Sequence, residues 1–394
     1  MPGPPLEVAD IIRAVAGSAA AVPGLVTSAA QSRVLRALAA CRSAALGGHL
    51  DQCDRCSHRL ISYNSCRNRH CPKCQAMARA EWFADRQRDL LPARYFHVVF
   101  TMPAELGPIA LQNKKLLYDI LFRAASQTLL EIAADPKHLG AKIGFVAVLH
   151  TWGQTLMHHP HVHCVVPGGG LSPHGERWIA TRPNFLLPVK ILSRVFRGKF
   201  LDYLGRTYRD GELCLTHSLA QLRKPGRFQA LLADVRRKPW VVYAKPPVAG
   251  PEQVLAYLAR YTHRVAIANS RLVCFKDGQV RFRYKDYAKA GKKRVMTLAA
   301  TEFLRRFLMH VLPTGFVRIR HYGLLANRCR RGNVARCREL ACDASVAHQP
   351  VADTDTPACR LRCPQCAVGT MVIIDRFTAA RALTLTATAY WDSS

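Results

Sequence analysis

Long apolar runs are missing from this chain of 394 residues, and acidic side chains are scarce. No stretch reaches the ~18 consecutive apolar residues of a membrane-spanning helix, so a helical bilayer protein is excluded. The segment from Met1 to Ala30 is rich in Ala and Gly but has no basic start: Glu7 and Asp10 precede Arg13, and Pro23 and Gly24 interrupt the run. A secretory signal does not look like this, and a cytoplasmic location is expected. No internal repeat emerges, which argues against a solenoid or propeller. Strands and helices do not alternate as βαβ units, so a parallel sheet is not expected.

The shortage of acid leaves 57 Lys and Arg against 26 Asp and Glu, a net charge of +31. Such an excess points to a polyanionic partner, because Lys and Arg neutralise phosphates and release condensed counterions. No amphipathic membrane-binding element accompanies it, which favours nucleic acid over anionic lipid. Cysteine, by contrast, is plentiful at 15 residues. In a reducing compartment this argues for thiolate–metal chemistry rather than disulfides.

Periodicity and breakers give the organisation. A flexible leader is expected over 1–29. Helices are expected over 31–45, ending at Gly47-Gly48, and over 75–91, stopped by Pro92. Aromatic and β-branched residues mark strands at 95–100 and 143–149, separated by two helices' worth of sequence at 104–134. A short connection leads to a further strand through His161 and His163, paired antiparallel with its predecessor and ended by Pro167 and Gly168 to Gly170. Helical sequence covers 189–208 and 218–237, a strand covers 240–243, and 251–264 fits a helix with Pro251 in its first turn. Strands at 271–275 and 280–284 form a hairpin about Lys276-Asp277-Gly278-Gln279, and a helix follows at 301–311. The fold class is α+β, built on an antiparallel sheet. The expected divisions are a small zinc-binding domain at 30–91, a catalytic domain at 92–312, and a basic, partly disordered region at 313–394.

Cys53-x-x-Cys56 and Cys71-x-x-Cys74 lie fourteen residues apart. Each pair grips a tetrahedral ion from one tight turn, and four thiolates select zinc and leave no open position, so the expected role is structural. Cys66, His49, His58 and His70 lie near enough to replace one ligand. Arg67 and Arg69, in the polar loop between the pairs, suit phosphate contact and make the finger a candidate DNA reader. Cys363-Pro364-Gln365-Cys366, with Cys359 nearby, is half of a second ribbon, and Cys337 and Cys342 are its candidate partners.

Four histidines crowd into His158-His159-Pro160-His161-Val162-His163. On a strand, side chains two apart leave the same face, so His161 and His163 converge on one spot and can share a metal ion. His150 and Gln154 share parity on the preceding strand; of the two, Gln154 is taken as the third ligand. In the expected helix after Pro251, Val254, Tyr257, Leu258 and Tyr261 fall on one arc, so both tyrosines face the same neighbour. A divalent ion at the histidines would polarise a phosphodiester, and a nearby phenol would attack the phosphorus.

With these motifs in place, the chain resembles the IS91 family of rolling-circle transposases, within the HUH endonucleases named for His-hydrophobic-His. The residues that carry the resemblance are His161-Val162-His163, Tyr257-x-x-x-Tyr261 and the Cys53 to Cys74 finger. His150-Thr151-Trp152-Gly153-Gln154, Val166-Pro167-Gly168-Gly169-Gly170-Leu171 and Arg318-Ile319-Arg320-His321-Tyr322-Gly323 add to it. It implies an HUH-type sheet flanked by helices, nicking and joining of single-stranded DNA at transposon ends and target, and a 5′-phosphotyrosine on Tyr257 or Tyr261. It also implies Mg²⁺ or Mn²⁺ as catalytic ion and a bacterial, nucleoid-associated protein. Imidazole donors suit Mn²⁺ better than Mg²⁺. A replication initiator or relaxase would share this chemistry, and a zinc-dependent DNA-binding protein without catalysis is the rival from another class. Arg281 and Arg283 on the hairpin, Lys292 and Lys293 after it, and Arg318 and Arg320 beyond complete the expected DNA surface.

Overall fold

A computed structural model of the chain describes residues 6–16, 22, 24–75, 90–245, 266–289, 291–341 and 361–381. The N-terminal part holds helices α1 (Val8–Ala16) and α2 (Ala29–Ala39) and strands β1 (Gly48–Cys53) and β2 (Arg59–Tyr63). Next come β3 (Tyr95–Thr101), α3 (Gly107–Gln112), α4 (Lys114–Ala134), β4 (Gly144–Trp152) and β5 (His158–Pro167). A small ribbon of β6 (Gly169–Leu171) and β7 (Trp178–Ala180) precedes α5 (Val189–Arg209), α6 (Pro225–Arg237) and β8 (Val242–Lys245). Beyond these lie β9 (Leu272–Lys276), β10 (Gln279–Asp286), β11 (Lys292–Ala299) and α7 (Ala300–Met309). The last elements are β12 (Ile319–Gly323), α8 (Arg330–Ala341) and β13 (Met371–Phe377).

The α+β reading with an antiparallel sheet holds. Five strands form the central sheet in the order β12-β4-β5-β3-β8, every neighbouring pair antiparallel. Strand parity sorts its two faces. Val98, Phe100, Phe145, Leu149, Val162 and Cys164 point to one side and are fully buried. Helix α5 presents Leu192, Phe196, Phe200 and Leu204 to that side at four-residue intervals, with the Phe196 ring 5.0 Å from Phe100. Each large apolar side chain buried here stabilises the fold by about 1.5–3 kcal/mol. The other face carries the histidines.

A second core joins the N-terminal helices to β10 and α7. Val8, Ile11 and Ile12 of α1 and Leu35 of α2 pack with Phe282 of β10 and with Phe303 and Phe307 of α7. Ser28 opens α2 with a reciprocal capping box to Gln31. The expected flexible leader is thus partly a buried helix, because its apolar spacing at Val8, Ile11 and Ile12 suits one packed face. Helix α2 stops at Ala39, short of the expected residue 45, and 44–46 is a separate 3₁₀ turn. Of the helix expected over 75–91, residues 76–89 lie outside the described residues, as does all of the expected tyrosine helix at 251–264.

The C-terminal region is woven into what precedes it. Strand β12 is an edge of the central sheet, and β13 pairs with β1, giving a three-stranded sheet of order β13-β1-β2. Strand β11 completes a meander with the anticipated β9–β10 hairpin. No helix among the described residues is long and apolar enough to cross a membrane.

Candidate metal centres and nucleic-acid surface

The histidine site is a product of register. His161 of β5 lies directly opposite His150 of β4, and His163 is two residues further along the same face. A nitrogen from each of these three rings lies within 4.8 Å of the others. The His150 ring centre is 4.2 Å from that of His163 and 5.4 Å from that of His161. Among the described residues the donor set is three imidazoles with no carboxylate, on adjacent strands of a packed sheet.

Neighbouring groups fix the rings. His161 Nδ1 sits 2.6 Å from the His159 carbonyl, so Nδ1–H donates and Nε2 is left as the electron-pair donor. His163 Nδ1 lies 2.7 Å from Nε2 of His97 on β3. Donation from His163 Nδ1 to His97 orients the second ring in the same sense. Desolvation pushes the His161 ring down to about 4, that of His97 to about 4, and that of His163 well below its ordinary value. At neutral pH these imidazoles are uncharged and can act as ligands. His158 points the other way and bonds the Tyr118 hydroxyl at 2.9 Å.

Gln154 does not join this set. Strand β4 ends at Trp152 after a register shift beyond His150, so the parity argument fails at the turn. The Gln154 side-chain oxygen accepts from the Lys285 backbone N–H at 3.3 Å, and its carbonyl accepts from Arg271 at 2.5 Å. The same turn offers the Thr155 carbonyl to Arg306 and the Leu156 carbonyl to His310, each at 3.0 Å. The β4–β5 turn is therefore clamped by the β9–β11 meander and α7. His97 is the site residue that motif reading passes over, a lone histidine on an apolar strand that only cross-strand register brings in, whereas His150 is the alternative third ligand set behind Gln154.

The cysteines also regroup. Cys53, Cys56, Cys71 and Cys74 do not surround one centre. Cys71 and Cys74 join Cys41 and Cys66, whereas Cys53 and Cys56 join Cys363 and Cys366. In the first set the sulfurs of Cys41 and Cys74, and of Cys66 and Cys74, are 3.6 Å apart, and Cys71 lies 3.7 Å from Cys41. A zinc ion with ~2.3 Å Zn–S bonds needs tetrahedral edges of about 3.8 Å, so this set fits zinc. Cys66 was foreseen as a substitute ligand. Cys41 was hidden because it sits just past α2, far from any C-x-x-C. Cys337 is buried in the apolar contacts of α8 instead, and Cys342 and Cys359 lie outside the described residues.

Residues 144–332 match the family model described as "Putative transposase", and 18–102 match "Transposase zinc-binding domain". The chain is 31% identical over 293 residues to the "Transposase for insertion sequence element IS801" of Pseudomonas savastanoi pv. phaseolicola, covering 73% of this chain and 68% of that one. The chain belongs to the IS91 family of transposases. It is also 53% identical over 380 residues to the "Putative transposase y4qJ" of Sinorhizobium fredii, covering 94% of this chain and 95% of that one. No solved structure matches it.

The expected DNA-contacting residues of this transposase divide in two. Arg281 and Arg283, with Lys285, stand exposed on one face of β10 while Phe282 is buried on the other; Lys292 and Lys293 of β11 and Arg67 of the finger loop are exposed too. Arg69, Arg318 and Arg320 are engaged within the protein. Arg69 donates to the Phe316 carbonyl at 2.6 Å and the Pro313 carbonyl at 2.7 Å. Arg318 is buried, donates to Gln75 at 3.0 Å, and is pushed down to about 10 by desolvation. Arg320 pairs with Asp119 and lies 4.2 Å over the Phe122 ring. These three fasten elements together, and of the expected residues those left open are Arg67 and the basic residues of the meander.

Proposed function

We propose that this transposase nicks and rejoins single-stranded DNA at transposon ends by rolling-circle transposition, through a 5′-phosphotyrosine intermediate on Tyr257 or Tyr261. The observation that carries the reading is the convergence of His150, His161 and His163 on one face of the central sheet, opposite the face that α5 covers. His150 replaces Gln154 as the proposed third ligand. A divalent ion bound there supplies Lewis-acid polarisation of the scissile phosphate. His161 and His163 would hold it through Nε2, their Nδ1 atoms being tied to His159 and His97, and His150 would add a third imidazole nitrogen. All-imidazole ligation favours Mn²⁺ over Mg²⁺, which prefers oxygen.

In the proposed reaction a tyrosine oxygen forms the new bond to phosphorus and the 3′-oxygen leaves, taking up a proton to become a 3′-hydroxyl. The phosphodiester energy is kept in the phosphotyrosine, so rejoining to another 3′-hydroxyl needs no nucleotide cofactor. Tyr257 and Tyr261, one helical turn apart in sequence, would let one residue hold a DNA end while the other cleaves. Both follow Lys245, which lies opposite His97 on the central sheet, and precede Ala266, which is buried in the second core. The meander clamped to the β4–β5 turn would lead the strand past the histidines through Arg281, Arg283 and Lys293. Cys41, Cys66, Cys71 and Cys74 would hold a structural zinc.

The test incubates the protein with labelled single-stranded oligonucleotides from the transposon ends and Mn²⁺, and looks for a covalent protein–DNA adduct. Wild type is expected to form it, and Tyr257→Phe/Tyr261→Phe is expected to form none. Equal adduct in both would remove the tyrosine assignment.

A further inference from the structure

The β13-β1-β2 sheet has no apolar core of its own: none of its residues belongs to the buried hydrophobic clusters of the described chain. Val372, Ile373 and Ile374 of β13 are instead exposed. Two small hairpins from opposite ends of a long chain do not stay paired on backbone hydrogen bonds alone. At their junction, however, Cys53 and Cys363 are buried, and Cys56 and Cys366 complete a group of four. The sulfurs of Cys53 and Cys366 are 3.7 Å apart and those of Cys56 and Cys363 are 3.6 Å apart. These spacings are far beyond the ~2.05 Å of a disulfide. They match the edge of about 3.8 Å expected for a tetrahedral zinc with four thiolates.

Both turns are shaped around sulfur. The backbone N–H groups of Arg55 and Cys56 point at Cys53 Sγ, at 3.4 and 3.5 Å, and Gly369 N–H points at Cys366 Sγ, at 3.3 Å. Gly369 packs so closely that an added Cβ would meet Cys53 Sγ at 2.4 Å. The turns also bond each other: Asp54 N–H donates to the Thr370 carbonyl at 3.1 Å, and Thr370 N–H donates to the Asp54 carboxylate at 2.9 Å.

We propose that Cys53, Cys56, Cys363 and Cys366 bind a second structural zinc, separate from the first thiolate set, that clasps the C-terminal segment onto the N-terminal hairpin. The ribbon is assembled from both ends of the chain. Its zinc-binding energy is then spent on holding β13 against β1, so the C-terminal pairing exists only in the loaded protein. Four thiolates leave no open coordination position, and the ion takes no part in DNA chemistry.

The test is metal analysis of the purified full-length protein, with limited proteolysis as a second readout. Wild type is expected to carry two zinc ions per chain. Cys363→Ser/Cys366→Ser is expected to carry one and to release its C-terminal segment to protease much faster. One zinc per wild-type chain, lost only in Cys71→Ser/Cys74→Ser, would overturn the second site and leave the first intact. Two zinc ions retained in Cys363→Ser/Cys366→Ser, or a wild-type mass showing these cysteines oxidised to disulfides, would overturn it equally. The count is repeated in His161→Ala/His163→Ala, where two zinc ions are again expected and one would overturn the second thiolate site, so zinc held by the histidines is not mistaken for it.

Discussion

The histidine centre and the cysteine centres are built in opposite ways. The three imidazoles come from two adjacent strands of one rigid sheet, within residues 150–163, and a carbonyl and a further histidine orient two of them. The eight thiols come from turns and loops scattered over residues 41–366, each set assembled across a gap in sequence. The first arrangement offers three donors and room for a substrate oxygen; the second offers four donors and closes the shell. Placement on a sheet suits a centre that must hold its geometry during a reaction. Cross-linking of loops suits a centre whose task is to fold a small region with little core.

Acid acts first beside the histidine centre, at the β4–β5 turn that His310 holds. His310 is fully buried, donates from Nε2 to the Leu156 carbonyl and accepts at Nδ1 from Thr151, and desolvation pushes it down to about 4. In the unfolded chain a histidine takes up a proton near pH 6.5. The unfolded state therefore protonates first, so stability is complete above pH 6.5 and is lost as pH falls towards 4. For this one residue the loss at pH 4 is about 3 kcal/mol. Thermal unfolding from pH 7.5 to pH 4.5 should show a steep fall in Tm. His310→Gln, less stable at neutral pH, should show a shallower one; parallel curves would contradict the assignment.

A smaller effect sharpens the role of the orienting shell. His97 touches His163 but not the proposed ion, so His97→Ala should weaken Mn²⁺ affinity by roughly 10–100-fold, as loss of such partners commonly does. His97→Gln keeps a hydrogen-bond acceptor and should recover part of the affinity at unchanged zinc content. Mn²⁺ titration of both variants checks this, and wild-type affinity in His97→Ala would show that the contact has no orienting role.

How much of this was legible follows the same division. Strand alternation made His161 and His163 readable as a convergent pair, and the β4–β5 antiparallel pairing followed from the short connection between them. His150 was visible but ranked below Gln154, because a bulge past His150 and the end of the strand at Trp152 leave no mark in the sequence. The doubled C-x-x-C motif announced thiolate chemistry but not the partition into two sets. Tight-turn pairs state which two sulfurs travel together, and only β13 pairing with β1 states which pairs meet. Arg318 and Arg320 read as open charge because no acid stands beside them in sequence. Their partners, Gln75 and Asp119, are remote along the chain. The alternation of β10 was readable, since Arg281 and Arg283 exposed and Phe282 buried is a period-two pattern. Tyr257 and Tyr261 lie outside the described residues, and their role rests on motif and family.

The division of labour between imidazole and thiolate centres is tested most directly by His161→Ala/His163→Ala in the oligonucleotide adduct assay, with zinc content and Tm measured on the same preparation. The account predicts a folded protein with its zinc retained and adduct formation reduced by more than about 100-fold, beyond what loss of an outer partner alone produces. Adduct formation at the wild-type level in that folded variant would contradict it.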